Sequence, residues 1–169
     1  MSRAPSSFAP EVSPAGVLAI PIASVIAGSL VTIIPFIATF PVLPPFGLMV
    51  LLAWRLMRPD TVRVWSPIPF GFADDLVSGQ PLGSAVLLWT LSFLVIDLLD
   101  QRLVSRDFWQ DWILAAGAIG FSLIGGRLIA TGIEAHVDTL LLFQVIVSVL
   151  LYPFVARWVA WLDRKRGRA

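Results

Sequence analysis

Asp74 and Asp75 stand side by side in an otherwise apolar stretch, Trp65–Ser78, and are the most chemically pointed pair in the chain. A double carboxylate can ligate a divalent cation or transfer a proton. An ionisable group that must enter a membrane is a functional candidate by default. Successive residues on a helix point about 100° apart, so the two do not readily face one ligand. Diphosphate-binding arrangements need a second acidic cluster on another helix. Asp97 and Asp100 are expected near the opposite face and cannot supply it. The competing reading is structural: one aspartate braces the glycine-rich turn at Ser78–Gly83 while the other points to water.

Few other groups can do chemistry. There is no cysteine, which removes disulfides, zinc fingers, thiol catalysis and iron–sulfur clusters. The single histidine, His136, leaves no His-rich metal site and no Ser-His-Asp triad. No P-loop or dinucleotide fingerprint occurs, so neither enzyme activity nor a metal or cofactor is expected. A net charge of +1 gives no reason to expect nucleic acid.

Arg127 lies at the depth predicted for Asp74 and Asp75, so a pair between Asp75 and Arg127 is one expectation and an arginine reaching the outer headgroups alone is the other. Ala116-x3-Gly120 and Ser122-x3-Gly126 are small-residue spacings that let helix backbones approach, within the chain or against a partner. Gln144, Ser148 and Tyr152 recur at steps of four and should share an inward face. Arg164, Lys165, Arg166 and Arg168 form a terminal basic cluster suited to anionic lipid.

The elements that position these residues follow from composition. Of the 169 residues, 57% are hydrophobic and 14% charged, with mean hydropathy +0.86. Soluble domains run at about 25% charged, so the chain reads as an integral membrane protein. No charge occurs between Glu11 and Arg55, a gap of 43 positions. One crossing needs about 20 apolar residues, so this gap holds two, joined by a turn at Pro41-Val42-Leu43-Pro44-Pro45. An all-helical bundle of six spans is predicted, at about 15–38, 44–54, 65–78, 82–99, 112–131 and 139–161. Pro153 is expected to kink the last. Residues 1–14 read as a cytoplasmic tail rather than a secretory signal, and 162–169 as a basic cytoplasmic tail. With both termini inside, eleven of the twelve basic residues fall on the cytoplasmic side, leaving only Arg127. Omitting the weak third span would spoil that asymmetry. Trp54, Trp65, Trp109, Trp112, Trp158 and Trp161 then sit at the inner boundary, as indole rings prefer.

The stretch from Trp54 to Gly83 contains Trp54-x3-Arg58-Pro59, then Gly71, Asp75, Gly79, Pro81, Leu82 and Gly83. It resembles the rod shape-determining protein MreD family, whose pattern is a Gly, an Asp four residues on, a Gly four further, then Pro-Leu-Gly and a long apolar helix. Phe72 stands where that pattern has Leu. The resemblance covers about residues 15–165 and makes Asp75 the family aspartate, with Asp74 a local extra. Physically, Pro81 and the glycines end a short helix and turn the chain, and Asp75 can accept hydrogen bonds from amides freed there.

The resemblance implies a multi-pass protein of the bacterial inner membrane, similar in fold to the substrate-binding subunits of energy-coupling-factor transporters. It implies a non-enzymatic part of the cell-elongation machinery. Such a protein binds an MreC-like bitopic membrane protein and helps couple MreB filaments to peptidoglycan synthesis, so regulating cell shape. A transporter or substrate-binding membrane subunit for a small solute or lipid-like ligand is the alternative, with Asp75, Arg127, Trp89 and Gln144 lining its cavity. A membrane-embedded hydrolase or transferase would need a second cluster beside Asp74 and Asp75, and only Arg127, Glu134 and Asp138 are at hand.

Overall fold

A computed structural model describes residues 14–31, 43–102, 107–131 and 139–166. Six helices and no strand occur among them: α1 Pro14–Leu30, α2 Phe46–Met57, α3 Pro67–Ser78, α4 Ser84–Asp100, α5 Phe108–Thr131 and α6 Thr139–Arg166. The tail 1–13, the end of the first predicted span with Pro41 and Val42, Arg106, the Glu134–Asp138 loop and residues 167–169 lie outside the described residues. Two helices, α5 and α6, are long and apolar enough to cross a membrane.

The arrangement is a ring around one helix. In turn α1 packs on α3, α3 on α4, α4 on α5, α5 on α6, and α6 returns to α1, while α2 touches α1, α3, α5 and α6. The sequence of α2, FGLMVLLAWRLM, is apolar all round save Arg55, and such a helix belongs in a core. Every residue from Gly47 to Leu56 is buried. Trp54, expected among the boundary tryptophans, has protein rather than headgroups around its ring. It is fully buried, and its indole N–H donates to Ser24 Oγ of α1 at 2.9 Å. Trp65, Trp109, Trp158 and Trp161 are exposed.

Helix ends depart from the predicted spans for local reasons. Pro44 and Pro45 stay outside α2, which starts at Phe46 and runs three residues past Trp54 to Met57. Helix α5 starts four residues early, at Asp107-x-x-Gln110, where the Gln110 side chain reaches back to the first backbone N–H as in one half of a capping box. The Gln110 and Asp111 N–H groups donate to Asp107 O, and Asp107 N–H donates to Gln110 Oε1 at 3.4 Å. Helix α6 continues five residues past Trp161, so Arg164, Lys165 and Arg166 are helical rather than part of a tail.

Pro153 lies inside α6 and has no N–H to give the Val149 carbonyl four residues back. Trp112 of α5 supplies the missing donor, its indole N–H lying 3.1 Å from Val149 O. In hydrocarbon an unmet carbonyl costs several kcal/mol, less where water reaches it. Trp112→Phe is therefore expected to destabilise the protein in detergent by about 1–2 kcal/mol. In a Pro153→Ala background the same change should cost clearly less, because the backbone then satisfies Val149 itself. Equal losses in the two backgrounds, read by thermal unfolding, would show that the indole bond is incidental.

Candidate functional site

Pro67, Gly71 and Asp75 are the buried residues of α3 and stand four apart on one face, which lies against α4. Gly71 sets the approach. A side-chain carbon there would stand 2.8 Å from Val86 N and 2.9 Å from the Ala85 carbonyl carbon, both backbone atoms of α4. One turn on, Asp75 is 1% exposed and takes the place of a helix-capping side chain. Residue 83, at the N-cap of α4, is glycine and has no side chain of its own to do so. The Asp75 carboxylate accepts from Gly83 N–H at 2.8 Å, Ala85 N–H at 2.9 Å and Ser84 Oγ–H at 3.0 Å. A negative charge at that end of α4 is also favoured by the helix dipole. Gly79 ends α3 and Gly83 opens α4, both with left-handed backbone (φ +68° and +95°). Pro81 and Leu82 lie exposed between them. The six motif residues thus build one α3–α4 hairpin.

The expected pair of Asp75 with Arg127 is not found. Among the described residues, the partners of the Asp75 carboxylate are the α4 groups just named. Arg127 is exposed on α5, one turn before its end. Asp74 does not point to open water either. It is half-buried and hydrogen-bonded with Ser29 of α1. Gly47 of α2 leaves room for that contact, since a side chain there would run into Ser29 Oγ and stand 3.1 Å from Asp74 Oδ1. The two carboxylates therefore serve different neighbours, and among the described residues no cluster of three metal-ligating side chains occurs.

The four small residues of α5 are spent largely inside the chain. A side-chain carbon at Gly126 would lie 3.5 Å from Gln80 Oε1 and 3.9 Å from Leu88 Cδ1, and one at Gly120 would lie 3.8 Å from Val145 Cγ1 of α6. Ser122 is buried and Ala116 half-buried. Gly117, by contrast, faces open space and lines an apolar cleft of about 340 Å³ between α4 and α5. On α6, Ser148 and Tyr152 are buried and Gln144 donates to the Leu43 carbonyl ahead of α2, so this stripe faces inward.

A second charged site escaped the sequence reading, which assigned Arg55 to a cytoplasmic loop. Arg55 is inside α2 and 5% exposed, with its guanidinium 2.6 Å from Asp97 Oδ1 and 3.6 Å from Asp100 Oδ2 of α4. It also donates to the carbonyls of Pro59 and Val62. The available signal was Asp97 and Asp100, three apart and hence on one helical face, beside apolar residues. At the same end, Asp163 pairs with Arg58 at 3.0 Å and Arg166 at 3.2 Å. Lys165 lies 4.0 Å over the Trp161 ring, so part of the basic cluster is engaged by the protein itself.

The family model described as rod shape-determining protein MreD matches residues 15–162. No curated protein and no solved structure matches the chain.

Proposed function

Because the chain belongs to the MreD family of rod shape-determining proteins, we propose that it is a non-enzymatic, multi-pass component of the rod-shape machinery in the bacterial inner membrane. It binds an MreC-like bitopic partner and helps couple MreB filaments to peptidoglycan synthesis, thereby regulating cell shape. The observation that carries this reading is the family match together with the α3–α4 hairpin that the motif residues build. Six spans with both termini cytoplasmic fit the distribution of charge. Arg55, Arg58, Asp97, Asp100, Asp163 and Arg166, all assigned to the inner side, are joined by ion pairs from α2, α4 and α6. The hairpin at Gly79–Gly83 falls at the other end of α4. Of the residues expected to line a transporter cavity, Asp75 holds the start of α4, Gln144 holds the chain ahead of α2, Trp89 is buried in the core and Arg127 is exposed.

Depletion in the source organism, scored by cell width and length, tests the role. Rounded or widened cells and co-purification of a single-span partner with a periplasmic domain are expected. Unchanged shape, with an ATPase subunit or a small molecule brought down instead, would transfer the assignment to a transporter.

We propose that the partner packs on the exposed side of α5, where Gly117 lines the cleft. The first side-chain carbon added at Gly117 meets nothing within 4 Å beyond its own stretch of helix. Gly117→Leu should therefore leave thermal stability unchanged or slightly raised, since glycine is a poor helix residue by about 1 kcal/mol. It should reduce partner co-purification by roughly ten-fold, as a filled packing site at a helix interface would. Undiminished co-purification would place the partner elsewhere.

A further inference from the structure

The last turns of α6 carry two faces of opposite character. Trp158, Trp161, Arg164 and Lys165 stand three or four apart, so they share one face, and all four are exposed. Val159, Leu162, Asp163 and Arg166 share the other, which is turned to the protein. Val159 is fully buried and Leu162 packs against the core. Asp163 holds Arg58 of α2 at 3.0 Å and Arg166 at 3.2 Å, and the Arg166 guanidinium lies 5.6 Å from the centre of the Trp54 ring. Arg166 belongs to the basic cluster in sequence but is spent on these contacts. Asp163 is the only carboxylate between Tyr152 and Arg166, so the exposed face carries cations without an anion of its own stretch. Among the described residues Arg164 and Lys165 form no ion pair.

We propose that this face binds a phospholipid of net negative charge, its phosphate held by Arg164 and Lys165 and its acyl chains lying along Trp161 and Trp158. A guanidinium takes a phosphate diester through paired, charge-assisted hydrogen bonds, and an ammonium adds a point charge. The two cations stand about 5 Å beyond Trp161 along the helix. They therefore reach the phosphates when the indoles sit at the headgroup boundary that such rings prefer. Lys165 lies 4.0 Å over the Trp161 ring, which holds its ammonium on the exposed side of α6. A zwitterionic headgroup would bring an ammonium of its own against the same two cations. An acidic protein segment would satisfy the charges but leave the two indoles of this face without hydrocarbon. The proposal rests on the reading that the chain is membrane-embedded with the end of α6 at the inner leaflet.

The test is native mass spectrometry of the full chain, purified in mild detergent and exposed to equimolar phosphatidylglycerol and phosphatidylethanolamine. The wild type should retain phosphatidylglycerol roughly twenty-fold over phosphatidylethanolamine, about five-fold for each of the two cations. The double variant Arg164→Ala/Lys165→Ala should bind the two lipids alike and melt at the wild-type temperature, because both residues are exposed. The exchange Arg164→Lys/Lys165→Arg keeps the charge and should keep the preference. Arg166→Ala removes one cation from the same turn and is the decisive contrast. It should lower the melting temperature, through the lost contacts with Asp163 and Trp54, and leave the preference nearly unchanged. A wild type without the preference overturns the proposal and leaves the two cations to an acidic protein segment. A double alanine variant that keeps the preference overturns it too, as does an Arg166→Ala protein that loses it. Comparing monodisperse fractions keeps misfolding apart from lost binding. Alkaline carbonate washing of cell membranes separates the two levels. A chain that washes off defeats the membrane reading itself, whereas a chain that stays and selects no lipid defeats only this site.

Discussion

Asp75→Ala is expected to cost about 3 kcal/mol and to abolish rod-shape complementation, with most of the solubilised protein aggregating on mild heating. The substitution removes three hydrogen bonds at once and leaves the Ala85 N–H buried without an acceptor. The Gly83 N–H lies at an exposed residue where water can replace the carboxylate, which keeps the figure below a sum of three full penalties. Asp75→Asn should cost roughly half as much, since an amide oxygen still accepts while its NH₂ faces donors. Asp74→Ala should cost only about 1 kcal/mol, because it loses the single contact with Ser29. Fluorescence-detected size exclusion after a heating series gives the order. If Asp74→Ala proves the more damaging of the two alanine variants, the capping account of the hairpin is wrong.

Gly71→Leu should be worse still and prevent α3 from seating on α4. Even the first carbon of a side chain meets backbone rather than a movable side chain, at 2.8–2.9 Å, so relief requires moving a helix. Gly71→Ala is expected to cost about 2–3 kcal/mol, at the upper end of what overpacking usually costs. Gly79→Ala supplies the contrast. A side-chain carbon there meets nothing within 4 Å beyond its chain neighbours, so only the left-handed backbone objects, at about 1–2 kcal/mol. A Gly71→Ala protein as stable as Gly79→Ala would mean that the helices can separate without loss. The two glycines share a motif but not a reason: one is there for contact, the other for conformation.

These particulars show what the sequence carries. The apolar segments could be read because charge is absent over long runs, and absence needs no knowledge of neighbours. The hairpin could be read because glycine and proline act locally: Gly79 and Gly83 take the conformations that their residue type favours. Asp107-x-x-Gln110 is equally local, but hydropathy, which sets the predicted start of α5, does not register it. Arg55 and Trp54 could not be placed in that way. Their surroundings depend on α2 standing in the middle of the ring, and the partners that define them, Asp97 and Ser24, lie 42 and 30 residues away. Counting Arg55 as a loop charge missed its environment, which is the interior of α2 beside Asp97. Asp75 and Arg127 were matched by depth alone. Depth ignores the nearer demand, the unmet amides at the start of α4.

The brevity of α3 has a mechanical consequence. Twelve residues make a helix about 18 Å long, whereas α5 and α6, with 24 and 28 residues, reach about 36 Å and 42 Å. Ile68, Phe72 and Leu76 are exposed along one side of α3. A hydrocarbon layer about 30 Å thick cannot meet such a helix without thinning, at a cost of fractions of a kcal/mol for each ångström of mismatch. On the six-span reading proposed above, the molecule in a bilayer is therefore a wedge, thick along one flank and thin along the other. The elastic energy stored beside the thin flank falls whenever another short span comes to lie there. That attraction acts through the lipid and requires no recognition between surfaces.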